Sequence, residues 1–262
     1  MIAVFAGNGN FPIEILSSLK KSKKKYIVLN LSNKTIKGSH KTQLGQFGKI
    51  LSLLKKNNIK EVIFAGKVSR PKLSDLKLDL KAISYLPQLR EAFRKGDGNL
   101  LNFCKKILHH NKIKVVESHK YSKELLLNKT ATNTKPSKEN ILDFKKGKKV
   151  LSVLGKFDNA QGIVIDNGYI LAVEAAEGTD MMLYRVLKLK GKDKKRSGVL
   201  IKLPKSNQNL RYDLPTIGLK TVQKCIKANL KGIFLKKNQN IFLNKNKSVE
   251  LANKYNFFIT AI

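Results

Sequence analysis

Met1-Ile-Ala-Val-Phe-Ala-Gly-Asn-Gly-Asn-Phe-Pro12 opens the chain. Five apolar residues, Ile2–Ala6, read as a buried strand, and Gly7-Asn8-Gly9 follows at once as a turn. The loop runs on through Asn10-Phe11-Pro12, and a helix follows to about Lys20. A strand, a glycine loop and a helix form half of a βα unit, and such a loop aims backbone N–H groups at an anion. Working outward, Tyr26–Leu31 is a second strand, Leu44–Lys56 an amphipathic helix and Glu61–Ala65 a third strand. Helices are read over Ala82–Lys95 and Asn99–His110, and Lys114–Glu117 is a fourth strand. Strands separated by helices dictate a parallel sheet with right-handed crossovers, here a Rossmann-like N-terminal domain. The dinucleotide fingerprint is incomplete. Pro12 occupies the place of the third glycine, and Val28-Leu29-Asn30 ends the second strand with no acid for a ribose. A redox dinucleotide is therefore disfavoured, leaving a phosphate-type loop or a tight turn without ligand.

The polar, proline-containing stretch 128–138, NKTATNTKPSK, reads as a linker between an N-terminal domain, 1–127, and a C-terminal α/β domain, 139–262. The second half opens with a helix over Glu139–Leu154. Gln161–Asp166 and Tyr169–Glu174 flank Asn167-Gly168, a hairpin signal, because both turn residues tolerate positive φ. Thr179 is placed to cap a helix over Asp180–Leu189. Val199–Leu203, Gly232–Leu235, Asn240–Leu243 and Phe257–Ile262 read as strands, and Ile217–Leu230 as a helix.

Composition narrows the class. With 262 residues and 42% hydrophobic residues the chain can bury real cores. No run approaches the ~18 apolar residues of a membrane span, and the N-terminus lacks the basic start of a signal peptide. Cys104 and Cys225 are too few and too far apart for a disulfide framework. A cytoplasmic location is expected.

The formal charge is +35, yet Arg occurs only at 70, 90, 94, 185, 196 and 211, which leaves 47 of 53 basic residues as Lys. Lys is spread almost everywhere, whereas a nucleic-acid binder clusters its bases and uses Arg for bidentate contacts. Compositional drift explains the spread best, anionic lipid or phosphorylated substrate comes next, and nucleic acid comes last. Two windows lack Lys and Arg altogether, Met1–Leu19 and Asp158–Tyr184. The second holds Asp158, Asp166, Glu174, Glu177 and Asp180, five of the 18 acids. Carboxylates gathered among buried strands need a cation, either a paired base or a metal.

The histidines, at 40, 109, 110 and 119, have no metal-ligand spacing. Asp97-Gly98-Asn99 is similar to a fragment of dimetal phosphoesterase motifs, but the histidines that would complete it are missing. The segment Arg211-Tyr212-Asp213-Leu214-Pro215-Thr216-Ile217-Gly218 is more informative. In an extended conformation Arg211 and Asp213 share a side, just before a helix N-terminus. That group suits phosphate chemistry, and a structural Arg–Asp pair is the alternative.

Taken together, GNGNFP (7–12), GKVSRP (66–71), QGIVIDNGYILAVEAAEGTD (161–180), GVLIKLPK (198–205) and RYDLPTIGLKTV (211–222) resemble the UDP-2,3-diacylglucosamine pyrophosphatases of lipid A biosynthesis that lack calcineurin-like dimetal motifs. The resemblance covers nearly the whole chain. One departure is Gly96-Asp97-Gly98, where the family has a second acid after the Asp. The resemblance implies hydrolysis of a lipid-linked UDP-sugar to 2,3-diacylglucosamine 1-phosphate and UMP with Mg²⁺, by a protein peripheral to the inner membrane. It places the substrate between the two domains. Pairing motif with motif puts the essential aspartate on Asp213, as catalytic residue and metal ligand, with Asp180 as a further metal candidate. The substrate-binding candidates are Gly7, Asn8, Gly9, Pro12, Lys67 and Arg70 in the first half. In the second they are Gln161, Glu174, Glu177, Thr179, Lys202, Arg211 and Thr216. Leu76, Leu78, Leu80, Leu86 and Leu89 are candidates for an acyl-chain lining, with core packing as the alternative. The competing class is a non-enzymatic basic protein that binds RNA or anionic membrane. A homodimer is left open.

Overall fold

Ile2–Ala6 forms β1, and all five of its residues are buried, as a central strand of a parallel sheet requires. The computed structural model describes residues 1–68, 72–94, 97–157, 159–191, 195–205 and 214–262. These fold as two units, Met1–Ser122 and Lys123–Ile262.

In the first unit β1 is followed by α1 (Phe11–Lys21), β2 (Tyr26–Asn30), β3 (His40–Lys41), α2 (Phe47–Lys56) and β4 (Glu61–Ala65). Then come α3 (Leu80–Ile83), α4 (Leu86–Arg94), α5 (Asp97–His110) and β5 (Lys114–Val115). All pairings are parallel, in the order β3-β2-β1-β4-β5. That order matches the first five strands of a doubly wound sheet and puts its switch point between β1 and β4. The helix read over 82–95 is two helices, interrupted at Ser84-Tyr85. Asp79 explains the early start: Oδ1 accepts the Ala82 N–H at 2.9 Å and caps α3, while Oδ2 accepts the Gly48 N–H of α2 at 2.7 Å. The pair β2–β3 has no counterpart in the sequence reading, because two residues carry no periodicity.

The second unit begins with α6 (Lys138–Gly155), β6 (Gly162–Asp166), β7 (Tyr169–Val173), α7 (Gly178–Lys190) and β8 (Val199–Lys202). It continues with β9 (Thr216–Ile217), α8 (Leu219–Lys227), β10 (Gly232–Leu235), β11 (Ile241–Phe242), α9 (Lys245–Lys254) and β12 (Phe258–Ala261). The main sheet is mixed, in the order β12-β10-β8-β6-β7, with β6 antiparallel to both neighbours. Alternation along the strands builds two cores. Ile163, Ile165, Val199, Ile201 and Phe234 face Phe144 and Leu151 of α6. Val164, Leu200, Ile233 and Ile259 face Leu183 and Val186 of α7 and Val222 and Cys225 of α8. The hairpin at Asn167-Gly168 is formed, with φ of 48° and 81°, and Asp143 of α6 accepts both of its N–H groups at 3.2 and 2.7 Å.

Residues 128–138, with the composition of a linker, are tied into this second unit. The Ala131 N–H donates to the Ile259 carbonyl and the Ile259 N–H to Thr132 Oγ1, both at 2.9 Å. The Thr130 and Thr260 hydroxyls are 2.8 Å apart. The Thr130 and Thr132 hydroxyls, part of that linker-like composition, make two of these three bonds, and the two compact units divide after Ser122. Among the described residues no helix is long and apolar enough to cross a membrane.

Candidate functional site

In the first unit the glycine loops after β1 and β4 interlock. The Gly7 N–H donates to the Ala65 carbonyl at 2.8 Å, the Asn8 N–H to the Lys67 carbonyl at 2.7 Å, and the Lys67 N–H back to Asn8 O at 3.1 Å. Asn8 and Lys67 thus form an antiparallel bridge beyond the ends of parallel strands. Gly66 makes this possible: its φ is +87°, and a Cβ there would lie 2.6 Å from the Asn8 carbonyl and 2.9 Å from Pro12 Cγ. Pro12 is buried in the first turn of α1. Gly9, with φ of +99°, has no atom within 4 Å of where its Cβ would be. Gly7, Asn8, Gly9, Pro12 and Lys67 are therefore brought together at the switch point, where doubly wound sheets bind ligands. The N-terminus of α1 opens there, and its free N–H groups favour an anion. Arg70 lies outside the described residues.

Gly66→Ala is expected to destabilise the protein by about 1–3 kcal/mol through backbone strain, and further through the clash with Asn8. Gly38→Ala is the control, since Gly38 has φ of +72° but open space around it. It should cost only ~1–2 kcal/mol, and equal losses in chemical denaturation would contradict the interlock.

In the second unit a closed polar triangle forms at the C-terminal end of β8. Lys202 Nζ lies 3.1 Å from Glu174 Oε2 and donates to Thr179 Oγ1 at 2.6 Å, and the Thr179 hydroxyl donates to Glu174 Oε1 at 2.8 Å. The Lys202 side chain is 5% exposed and that of Glu174 13%. Gly162, paired with Lys202 across the sheet, leaves room for this carboxylate: a Cβ there would meet Glu174 Oε2 at 2.5 Å. Thr179 does not cap α7. The N-cap is Glu177, and Thr179 sits in the first turn with its hydroxyl committed to Glu174. The triangle outcompetes the cap because it satisfies a buried ammonium.

The other acids of the Lys-free window are also paired. Asp166 accepts from Lys190 at 2.8 Å and from the Ser197 hydroxyl at 2.6 Å. Glu177 pairs with Arg185, which also donates to the Val173 carbonyl at 3.0 Å. Backbone hydrogen bonds first, and Arg185 second, hold the Glu177 carboxyl below its usual range. Asp180 Oδ2 lies 2.8 Å from Lys224 Nζ. Burial first, and the Asp180 charge second, push the neighbouring Cys225 thiol well above its ordinary range. All four described carboxylates thus meet a base from outside the window, which sequence spacing does not reveal. Among the described residues no three metal-ligating side chains converge. With Glu174 held by Lys202 and Asp180 by Lys224, these residues do not by themselves fit a divalent ion.

The remaining candidates make other hydrogen bonds or lie outside the described residues. Gln161 contributes its carbonyl to the Leu203 N–H at 2.9 Å. Thr216 lies in β9, and its hydroxyl donates to the Leu214 carbonyl at 3.1 Å. Arg211 and Asp213 lie outside the described residues.

Two family models divide the chain between them, the LpxI N-terminal domain over residues 1–125 and the LpxI C-terminal domain over 128–260. The chain belongs to the LpxI family. It is 32% identical over 271 aligned positions to the UDP-2,3-diacylglucosamine pyrophosphatase LpxI of Caulobacter vibrioides, covering 100% of this chain and 97% of that protein. Both LpxI halves are therefore present, and the interlocked glycine loops and the buried triangle belong one to each half.

Proposed function

We infer that this chain is a UDP-2,3-diacylglucosamine pyrophosphatase acting in lipid A biosynthesis. The observation that carries the reading is a match running from end to end with an enzyme of that activity. One water is consumed, one P–O bond of the phosphoanhydride breaks, and UMP and 2,3-diacylglucosamine 1-phosphate leave. One feature supports a phosphate-handling role: the β1/β4 switch point, where the N-terminus of α1 opens beside Lys67. The triangle positions Lys202 and neutralises it, so its part is to fix the start of α7. Asp213 is the carboxylate assigned to orient the attacking water or hold a cation, on its place in the RYDLPTIG motif.

Magnesium belongs to this reading as a proposal. A divalent ion would supply charge neutralisation on the phosphate oxygens. The four described carboxylates of the Lys-free window are each paired with a base, and Asp213 is the assigned protein ligand on its place in the motif. UMP release should stop in EDTA and return with added Mg²⁺. Full activity in chelator would remove the metal from the account. The same series separates the rival class, because a basic RNA- or membrane-binding protein releases no UMP and binds with an affinity that falls steeply with salt. The acylated substrate supports action at the cytoplasmic face of the inner membrane.

A further inference from the structure

In the second unit α6 packs one face on the sheet and turns the other outward. Asn140, Phe144, Gly147, Leu151 and Gly155 recur every three to four residues and are buried. A Cβ on Gly147 would lie 2.3 Å from Ile201 Cδ1, so the helix lies close on β8. On the opposite side Leu142, Lys146, Lys149 and Val153 follow at i, i+4, i+7 and i+11, and Phe157 comes just past the C-cap. Leu142 is 63% exposed, Val153 56% and Phe157 78%. Ile170, 43% exposed, stands on the α6 side of the sheet, because its register partner Ile165 packs in the α6 core. Lys146 Nζ donates to the Gly168 carbonyl at 2.6 Å and ties the hairpin to this face.

The apolar residues decide the reading. Lysine is spread over this chain, and it is a good helix former that the outermost positions of a surface helix accept at little cost. Leu142, Val153 and Phe157 are apolar there all the same. Single exposed side chains need no explanation, but three on one stripe among lysines do. Lys145, Lys148, Lys149 and Lys156 are exposed beside them. Asp143 is the only acid between Asn140 and Phe157, and it is buried, holding the hairpin N–H groups. Glu139 stands at the N-terminal end, where it accepts the Ser137 hydroxyl at 2.6 Å. Apolar side chains that reach the acyl boundary, among lysines that meet headgroup phosphates, are the two components of interfacial lipid binding. A second copy of the chain would bring the same lysines against these, like charge on like charge.

We infer that the outward face of α6 is the surface by which this protein docks on an anionic phospholipid bilayer, with Leu142, Val153 and Phe157 inserted and the flanking lysines on the headgroups. Docking requires no substrate, so the inference goes beyond the pyrophosphatase reading and is tested apart from it. The full-length protein is sedimented with vesicles of phosphatidylglycerol and phosphatidylcholine in equal parts, and with phosphatidylcholine alone. Wild type should bind the first far more tightly than the second. Leu142→Ser/Val153→Ser/Phe157→Ser leaves the charge unchanged and should weaken binding at least tenfold, whereas Leu80→Ser, at an 86% exposed position in the first unit, should not. Lys145→Gln/Lys149→Gln/Lys156→Gln should also weaken it about tenfold, and Lys55→Gln/Lys56→Gln/Lys60→Gln, which removes as much charge from the first unit, should stay within about twofold. Binding that ignores the serine variant, or that falls equally with either lysine triple, would overturn the docking face and leave only diffuse attraction by the net charge. A wild-type dimer that the serine variant splits, with vesicle binding intact, would overturn it in favour of self-association. Absence of UMP release by wild type, with vesicle binding still sensitive to the α6 variants, would instead overturn the enzymatic reading and leave the docking face standing.

Discussion

Asp213→Ala is expected to lower the rate of UMP release by about 10³-fold, with the protein still folded. A phosphoanhydride repels nucleophiles because its oxygens are anionic. A carboxylate accelerates attack only by orienting water or by holding a cation that cancels this charge, and both effects act in the transition state. The loss should therefore fall on kcat rather than KM. Asp213→Asn should fall almost as far, since it keeps the shape and removes the charge. The other acids provide the contrast. Glu177 and Asp180 are committed to Arg185 and Lys224 on exposed surfaces, so Glu177→Gln and Asp180→Asn should retain activity within about tenfold. Near wild-type turnover by Asp213→Ala would remove that residue from the chemistry, and a matching loss in Asp180→Asn would return Asp180 to the metal site.

The second large effect is on stability. Lys202→Met should destabilise the protein by about 3–5 kcal/mol, because it strands the Glu174 carboxylate in a nearly dry position. For a unit of this size that corresponds to a fall in Tm of roughly 10–20 °C. Glu174→Leu should cost a similar amount by stranding the ammonium. The double variant Lys202→Met/Glu174→Leu should be more stable than either single one, since it buries two apolar side chains in place of two charges and leaves only the Thr179 hydroxyl to re-pair. Additive losses in thermal unfolding would show that the pair does not act as a unit. Arg185→Met, which breaks an exposed pair, should cost no more than about 1 kcal/mol.

Much of the fold was legible in the sequence because burial follows period. β1 and β4 have the bounds expected of continuous apolar runs, and Asn167-Gly168 turns where its tolerance of positive φ places it. What escaped was set by long-range pairing. Ile217 reads as the start of a helix, yet Thr216–Ile217 pairs with Ile241–Phe242, and α8 begins only at Leu219. At the candidate site, the Lys-free window correctly marks carboxylates that need cations. Their partners stand at 185, 190, 202 and 224, and nothing in the spacing points from one to the other. Thr179 reads as a cap because local rules do not include a lysine arriving from β8.

The central claim is that this chain cleaves UDP-2,3-diacylglucosamine at its phosphoanhydride. Incubating the purified protein with that substrate and following the products by ³¹P NMR tests it most directly. Signals of UMP and a sugar 1-phosphate should grow in equal amounts as the diphosphate signals decline. Intact substrate, or release of UDP in place of UMP, would contradict the account.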